Sequence, residues 1–193
     1  RVWLNMVVYG KVFVILQGGI LTIKDFMKIT IFYSWQSTTD PKYNHNFILE
    51  CINETKDKIK EEEFYQTIEF DIKDGINGEP GSPSVADTIV EKRIPNSDIF
   101  IADLSIVNKK EQKKLFSNNN VMFEYGVARN ALGKERIIGV INTFYGEPEE
   151  LPFDIQHIRY PIKYKYSNNN EEEIESIKER LISNLKNALI TII

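Results

Sequence analysis

The run Asp98-Ile99-Phe100-Ile101-Ala102-Asp103-Leu104-Ser105 is short and almost continuously apolar. A strand that shows one face to water alternates apolar with polar residues, so a run of this kind needs cover on both faces. Ile29 to Ser34, Thr67 to Ile72 and Arg136 to Asn142 are further runs of strand length and β-rich composition. Helical patterns separate them. Asn46 to Glu62 places Phe47, Cys51, Ile52, Thr55 and Ile59 on one stripe, Pro83 to Lys92 follows a Ser82-Pro83 start signal, and Asn118 to Leu132 begins on asparagines and stops at Gly133. Arg159-Tyr160-Pro161-Ile162 predicts a short edge strand, where a proline does no harm to the ladder. An Asn170-x-x-Glu173 capping box opens a last helix with Ile174, Ile177, Leu181, Leu185, Ala188 and Leu189 on one stripe. Alternation of this kind predicts an α/β fold: an open, mainly parallel sheet with helices on both faces.

The 193 residues suffice for one domain with a real core and are short for two. A net charge of −4 argues against a nucleic-acid grip made over a broad basic surface. Cys51 is the single cysteine and has no partner for an internal disulfide, and His45 and His157 have no metal-site spacing. The expectation is a cytoplasmic protein without a metal or a bound cofactor.

Residues 1–26 are apolar from Val2 to Ile23 but carry Asn5, Lys11 and Gln17. A membrane span needs about 20 apolar residues, and a central Lys costs about 2.5–3.5 kcal/mol on insertion. A signal peptide would also want an apolar core free of Lys. A third reading makes Met27 the natural start, because Met27 to Tyr33 opens the first well-formed strand. The sequence favours this third reading, with residues 1–26 as an apolar extension, residues 27–193 as the domain and no membrane association.

Glu124 is the odd member of its helix. Its neighbours at helical spacing are Asn120, Val121, Val127 and Ala128, so no Lys or Arg of the helix faces it. Burying an unpaired carboxylate costs several kcal/mol or forces it to take up a proton, and chains accept that mainly where a ligand or a reaction needs it. The competing reading pairs Glu124 with a basic group from elsewhere or puts its head in water. Gly126, two residues on, removes a side chain that would stand beside a substrate. In a parallel sheet the loop after Ser34, the Gly75 to Ser82 loop, Asp103 and the start of the Glu124 helix all fall at the carboxyl ends of the strands, where such sheets bind ligands. Ser34, Trp35, Gly78, Gly81, Ser82, Asp103 and Asn120 are therefore the candidate substrate contacts around Glu124. A helix starting at Ser82-Pro83 would turn its free N–H groups toward a phosphate, although three glycines in a loop also describe an ordinary surface turn.

The segments FYSWQS (Phe32 to Ser37), GSPSVADTI (Gly81 to Ile89), DIFIADLS (Asp98 to Ser105), NNNVMFEYGVA (Asn118 to Ala128) and LPFD (Leu151 to Asp154) resemble bacterial TIR-like proteins, the prokaryotic Toll/interleukin-receptor domains. The sheet and the Glu-x-Gly helix are also similar to nucleoside 2-deoxyribosyltransferases. The resemblance spans Met27 to about Tyr164, with Asn120-Val121-x-x-Glu124-x-Gly126 its most specific element. Trp35-Gln36-Ser37 departs from the Ser/His-rich first loop common in TIR domains. The resemblance implies a flavodoxin-like or TIR-like sheet in which Glu124 is the catalytic residue for cleaving an N-glycosidic bond. It implies NAD as substrate for a TIR-like enzyme, a defence effector whose domains self-associate, or a nucleoside or nucleotide for a transferase. A module that binds a nucleotide without turning it over is the third possibility.

Overall fold

In the computed structural model, residues 4–8, 11–16, 19–25, 27–75, 88–107, 115–151 and 160–193 are described. The domain is built on a five-stranded sheet. Its strands are β4 (Met27–Ser34), β5 (Ile68–Lys73), β6 (Ile99–Asp103), β7 (Ile137–Asn142) and β8 (Ile162–Tyr164), in the order β5-β4-β6-β7-β8. Every pairing is parallel. This is the flavodoxin-like strand order, whose switch point lies between β4 and β6, where the chain leaves the centre of the sheet in opposite directions.

The continuous apolar run of β6 has the cover it requires, since all five residues are buried. Strand alternation divides them. Ile99 and Ile101 join Ile29, Ile31 and Tyr33 of β4 in one cluster, and Phe100 and Ala102 join Phe32 in the other. Helices α1 (His45–Lys60) and α3 (Ile174–Ile192) close the first side with Phe47, Ile48, Cys51, Leu181 and Leu185. Lys178 bridges Glu50 at 2.8 Å and Glu54 at 2.5 Å, tying the exposed seam between them. Helix α2 (Asn119–Leu132) closes the second side with Val121, Tyr125 and Ala128. Asn118 caps α2 by accepting the Asn120 N–H at 2.9 Å, and Gly133 ends it with φ of +81°, a value that favours glycine.

Differences from the expected elements are local. The edge strand forms at Ile162–Tyr164, just past Pro161, because that segment pairs with Val140 to Asn142 of β7. Asn170 does not form its capping box: its side chain accepts the Ser167 N–H at 2.9 Å and donates to the Lys165 carbonyl at 2.8 Å. A 3-10 turn over Glu171–Glu173 therefore precedes α3. Most of the helix expected over 83–92 lies outside the described residues, which show a single π-helical turn at Ile89–Arg93.

Before the domain, β1 (Leu4–Val8), β2 (Lys11–Leu16) and β3 (Gly19–Asp25) form a separate antiparallel sheet in the order β1-β2-β3. Among the described residues no helix is long and apolar enough to cross a membrane.

Candidate active site

Ser34 is the last residue of β4, and period-two alternation puts it on the Phe32 side of the sheet, toward α2. There its Oγ donates a 2.6 Å hydrogen bond to Glu124 Oε2. Glu124 is half-buried, and burial pushes its carboxyl above the ordinary glutamate range, with the Ser34 hydroxyl pulling the other way. Among the described residues no Lys, Arg or His forms an ion pair with it. The group is thus a partly desolvated carboxylate held by one neutral donor, an arrangement typical of a site and uncommon in a structural ion pair.

A cavity of about 410 Å³ opens over this pair, at the carboxyl end of β4. Ser34 and Trp35 line it from the end of the strand, and Asn120 and Glu124 line it from the first turns of α2. Four of the residues singled out in the sequence thus share one cavity beside the switch point. Gly78, Gly81 and Ser82 lie outside the described residues. Gly126 is exposed on a different side of α2, and a Cβ there would meet nothing within 4 Å, so the cavity does not owe its opening to this glycine.

Asp103 does not line the cavity. The same alternation that turns Phe100 and Ala102 toward α2 turns Asp103, with Ile99 and Ile101, toward α1, where it is fully buried. Its Oδ1 accepts the Ser105 N–H at 3.0 Å and its Oδ2 accepts Asn44 Nδ2 at 3.1 Å. The same Asn44 amide reaches Ser105 Oγ at 2.9 Å, while Asn142 Nδ2 donates to Asn44 Oδ1 at 3.1 Å and to the Tyr166 carbonyl at 2.8 Å. Gln36 Nε2 adds a bond to the Ser105 carbonyl at 3.0 Å. Burial pushes the Asp103 carboxyl up, against hydrogen bonds from Ser105, Asn44 and Gln36. This network fastens the loop between β4 and α1 to the ends of β6 and β7. It holds the loop that carries Trp35 and leads into α1.

Among the lining residues that sequence reasoning missed are His45 and Asp74. His45 opens α1 and stacks on Trp35 with ring centroids 3.8 Å apart and planes 17° apart. Asp74 directly follows β5. Its carbonyl accepts Trp35 Nε1 at 3.4 Å, and its Oδ2 lies 3.7 Å from His45 Nε2. No short motif joins positions 35, 45 and 74: the parallel pairing of β5 on β4 brings Asp74 toward Trp35, and His45 joins them from the start of α1. Gly75 then turns away with φ of +112°, a conformation that side chains resist.

Among the described residues no cluster of His, Cys, Asp and Glu could hold a metal ion. Cys51 is a core residue, its thiol pushed up to about 12 by burial, and is no nucleophile at neutral pH. Comparison of the chain with protein-family models and with curated proteins found no match.

Proposed function

We propose that the protein is a TIR-like enzyme that hydrolyses the N-glycosidic bond between nicotinamide and ribose in NAD, with Glu124 as the catalytic residue. The observation that carries this reading is the state of Glu124: half-buried, held by the single hydroxyl of Ser34, without a cation among the described residues, and facing a cavity at the carboxyl end of the central strand. The sequence resemblance supports the same assignment.

In the reaction the C1′–N bond breaks with its electron pair passing to the ring nitrogen, which loses its positive charge. The sugar becomes oxocarbenium-like. An ionised Glu124 beside the ring stabilises that charge, as carboxylates do in glycosidases. Water then bonds to C1′ and releases a proton. Nicotinamide leaves as a neutral molecule, so no general acid is needed, and one carboxylate suffices. NAD is substrate here, not cofactor. A cytoplasmic location, self-association of the domain and a part in antiphage defence belong to the same proposal.

Release of nicotinamide from NAD by the purified full chain, measured with and without a crowding agent, tests the reading. Turnover that disappears in Glu124→Gln is the expected result. Absence of turnover under both conditions, or undiminished turnover by the variant, overturns it. A second reading, transfer of deoxyribose between bases, draws on the size of the cavity, which is near the lower end of ligand pockets and closer to a nucleoside than to a dinucleotide. Base exchange between a deoxynucleoside and a free base is its test.

A further inference from the structure

The cavity has a wall that the cleavage step leaves unused. Trp35, His45 and Asp74 line it on the α1 side of β4, whereas Glu124 enters from the α2 side. Its described lining includes two carboxylates, Glu124 and Asp74, and no Lys or Arg. The Asp74 side chain is 27% exposed, and its nearest described partner, His45 Nε2, stands at 3.7 Å, beyond hydrogen-bond distance. Among the described residues nothing donates a hydrogen bond to that carboxylate, and the buried His45 Nε2 that faces it at ion-pair distance makes no hydrogen bond of its own. The indole beside them is fixed by its stack on His45 and its bond to the Asp74 carbonyl. A rigid aromatic surface next to an open carboxylate suits a flat cation and repels phosphate.

We propose that Asp74 is a specificity-determining residue that selects an N-ribosyl base carrying a positive charge, a pyridinium rather than a neutral purine or pyrimidine, seated along the Trp35–His45 wall. This rests on the N-glycosidase reading above and narrows its substrate class. The two carboxylates then act at different stages. In the bound substrate the positive charge is on the base, near Asp74; in the transition state it has moved to the sugar, near Glu124. Asp74 therefore stabilises the ground state at least as much as the transition state, and Glu124 does the reverse. Losing the first should be felt in KM and losing the second in kcat.

Two small rings that differ by one N-methyl group and the positive charge it brings provide the test. Titration of the full chain with 1-methylnicotinamide, a cation, and with nicotinamide, its neutral parent, gives the ratio of their dissociation constants. The wild type should bind the cation about tenfold more tightly, the scale expected for one partly screened carboxylate beside an aromatic face. Folded Asp74→Asn should bring the two affinities to within about twofold and raise the KM for NAD while kcat stays within about threefold. Equal affinities in the wild type, or binding of neither ring, overturn the proposal without any variant. An unchanged ratio in Asp74→Asn, or a fall in kcat at constant KM, overturns it too. Charge preference without turnover of NAD would sink the glycosidase reading and leave this selection standing. Turnover without charge preference would do the opposite.

Discussion

Asp103 and Glu124 are both acidic groups near the carboxyl ends of the central strands, and both have carboxyls pushed up by burial, yet they occupy opposite chemical situations. Asp103 is fully enclosed, and each of its oxygens accepts a hydrogen bond from the loop or strand end that it anchors. Glu124 is only half-buried, accepts one bond from Ser34 and opens on a cavity. Burial alone does not mark a functional carboxylate. What separates the two is how much of their hydrogen-bonding capacity the protein has already used. A buried group with its donors in place holds the structure together, while one with spare capacity beside open space can serve a ligand.

Substitution of the two residues should therefore break different properties. Glu124→Gln keeps the size and removes the charge, and we expect glycosidic cleavage to fall by about a hundredfold or more, the scale of losing a central electrostatic stabiliser. Its melting temperature should stay level or rise, because a partly buried charge is gone. A large drop in melting temperature with turnover per folded molecule intact would make Glu124 a structural residue like Asp103.

Asp103→Ala should show the complementary pattern. It strands one N–H of the Asn44 amide and the Ser105 N–H in a buried site, at about 1–3 kcal/mol in total if the remaining network relaxes around them. For a chain of this size that corresponds to a fall of roughly 2–12 °C in melting temperature. Loss of cleavage with no change in melting would place Asp103 among the catalytic groups instead.

Ser34→Ala sharpens the contrast at a smaller scale. The hydroxyl donates to the ionised form of Glu124, so its loss should push that carboxyl further up. The acid limb of the rate–pH profile should move to higher pH, with activity at neutral pH down by roughly tenfold or less, as for one charge-assisted hydrogen bond. An unmoved acid limb would detach Ser34 from the titration of Glu124.

The smallest effect is on stability as a function of pH. The Glu124 carboxyl in the folded protein lies above its ordinary value of 4.5. Between these two values the folded state holds the proton more firmly than the unfolded state does, so this group's contribution falls as pH rises through that window and is unfavourable above it. Glu124→Gln removes the effect. The melting-temperature difference between variant and wild type should therefore be small at acid pH and grow in favour of the variant toward neutral pH. A difference independent of pH would mean that Glu124 titrates alike in both states.

The parallel sheet was legible because its causes are local. The continuous apolar run of β6, the stripes of α1 and α3, and the Asn118 and Gly133 boundaries of α2 each follow from the period and chemistry of neighbouring residues. Where nearby contacts outweighed a local signal, the reading shifted. Asn170 carries a capping signature, but Ser167 and Lys165 offer its amide two bonds at once, and the cap is not made. The site was legible in part. Glu124 stood out as an acid at an apolar helix position, and Ser34 and Trp35 as the end of a strand in a parallel sheet.

The sequence by itself determined the alternation of elements, the two-sided burial of the central strand and the isolation of Glu124 from any basic residue on its own helix. Those properties are written in residues a few positions apart, where periodicity and side-chain type decide the outcome. Only the tertiary structure decided that Ser34, 90 residues away, holds that carboxylate, that His45 and Asp74 complete the cavity with Trp35, and that Asp103 faces the interior. Strand order and the side to which each strand end turns its last side chain are settled by packing between distant segments, and a difference of one residue in that alternation moves a carboxylate from the cavity to the core.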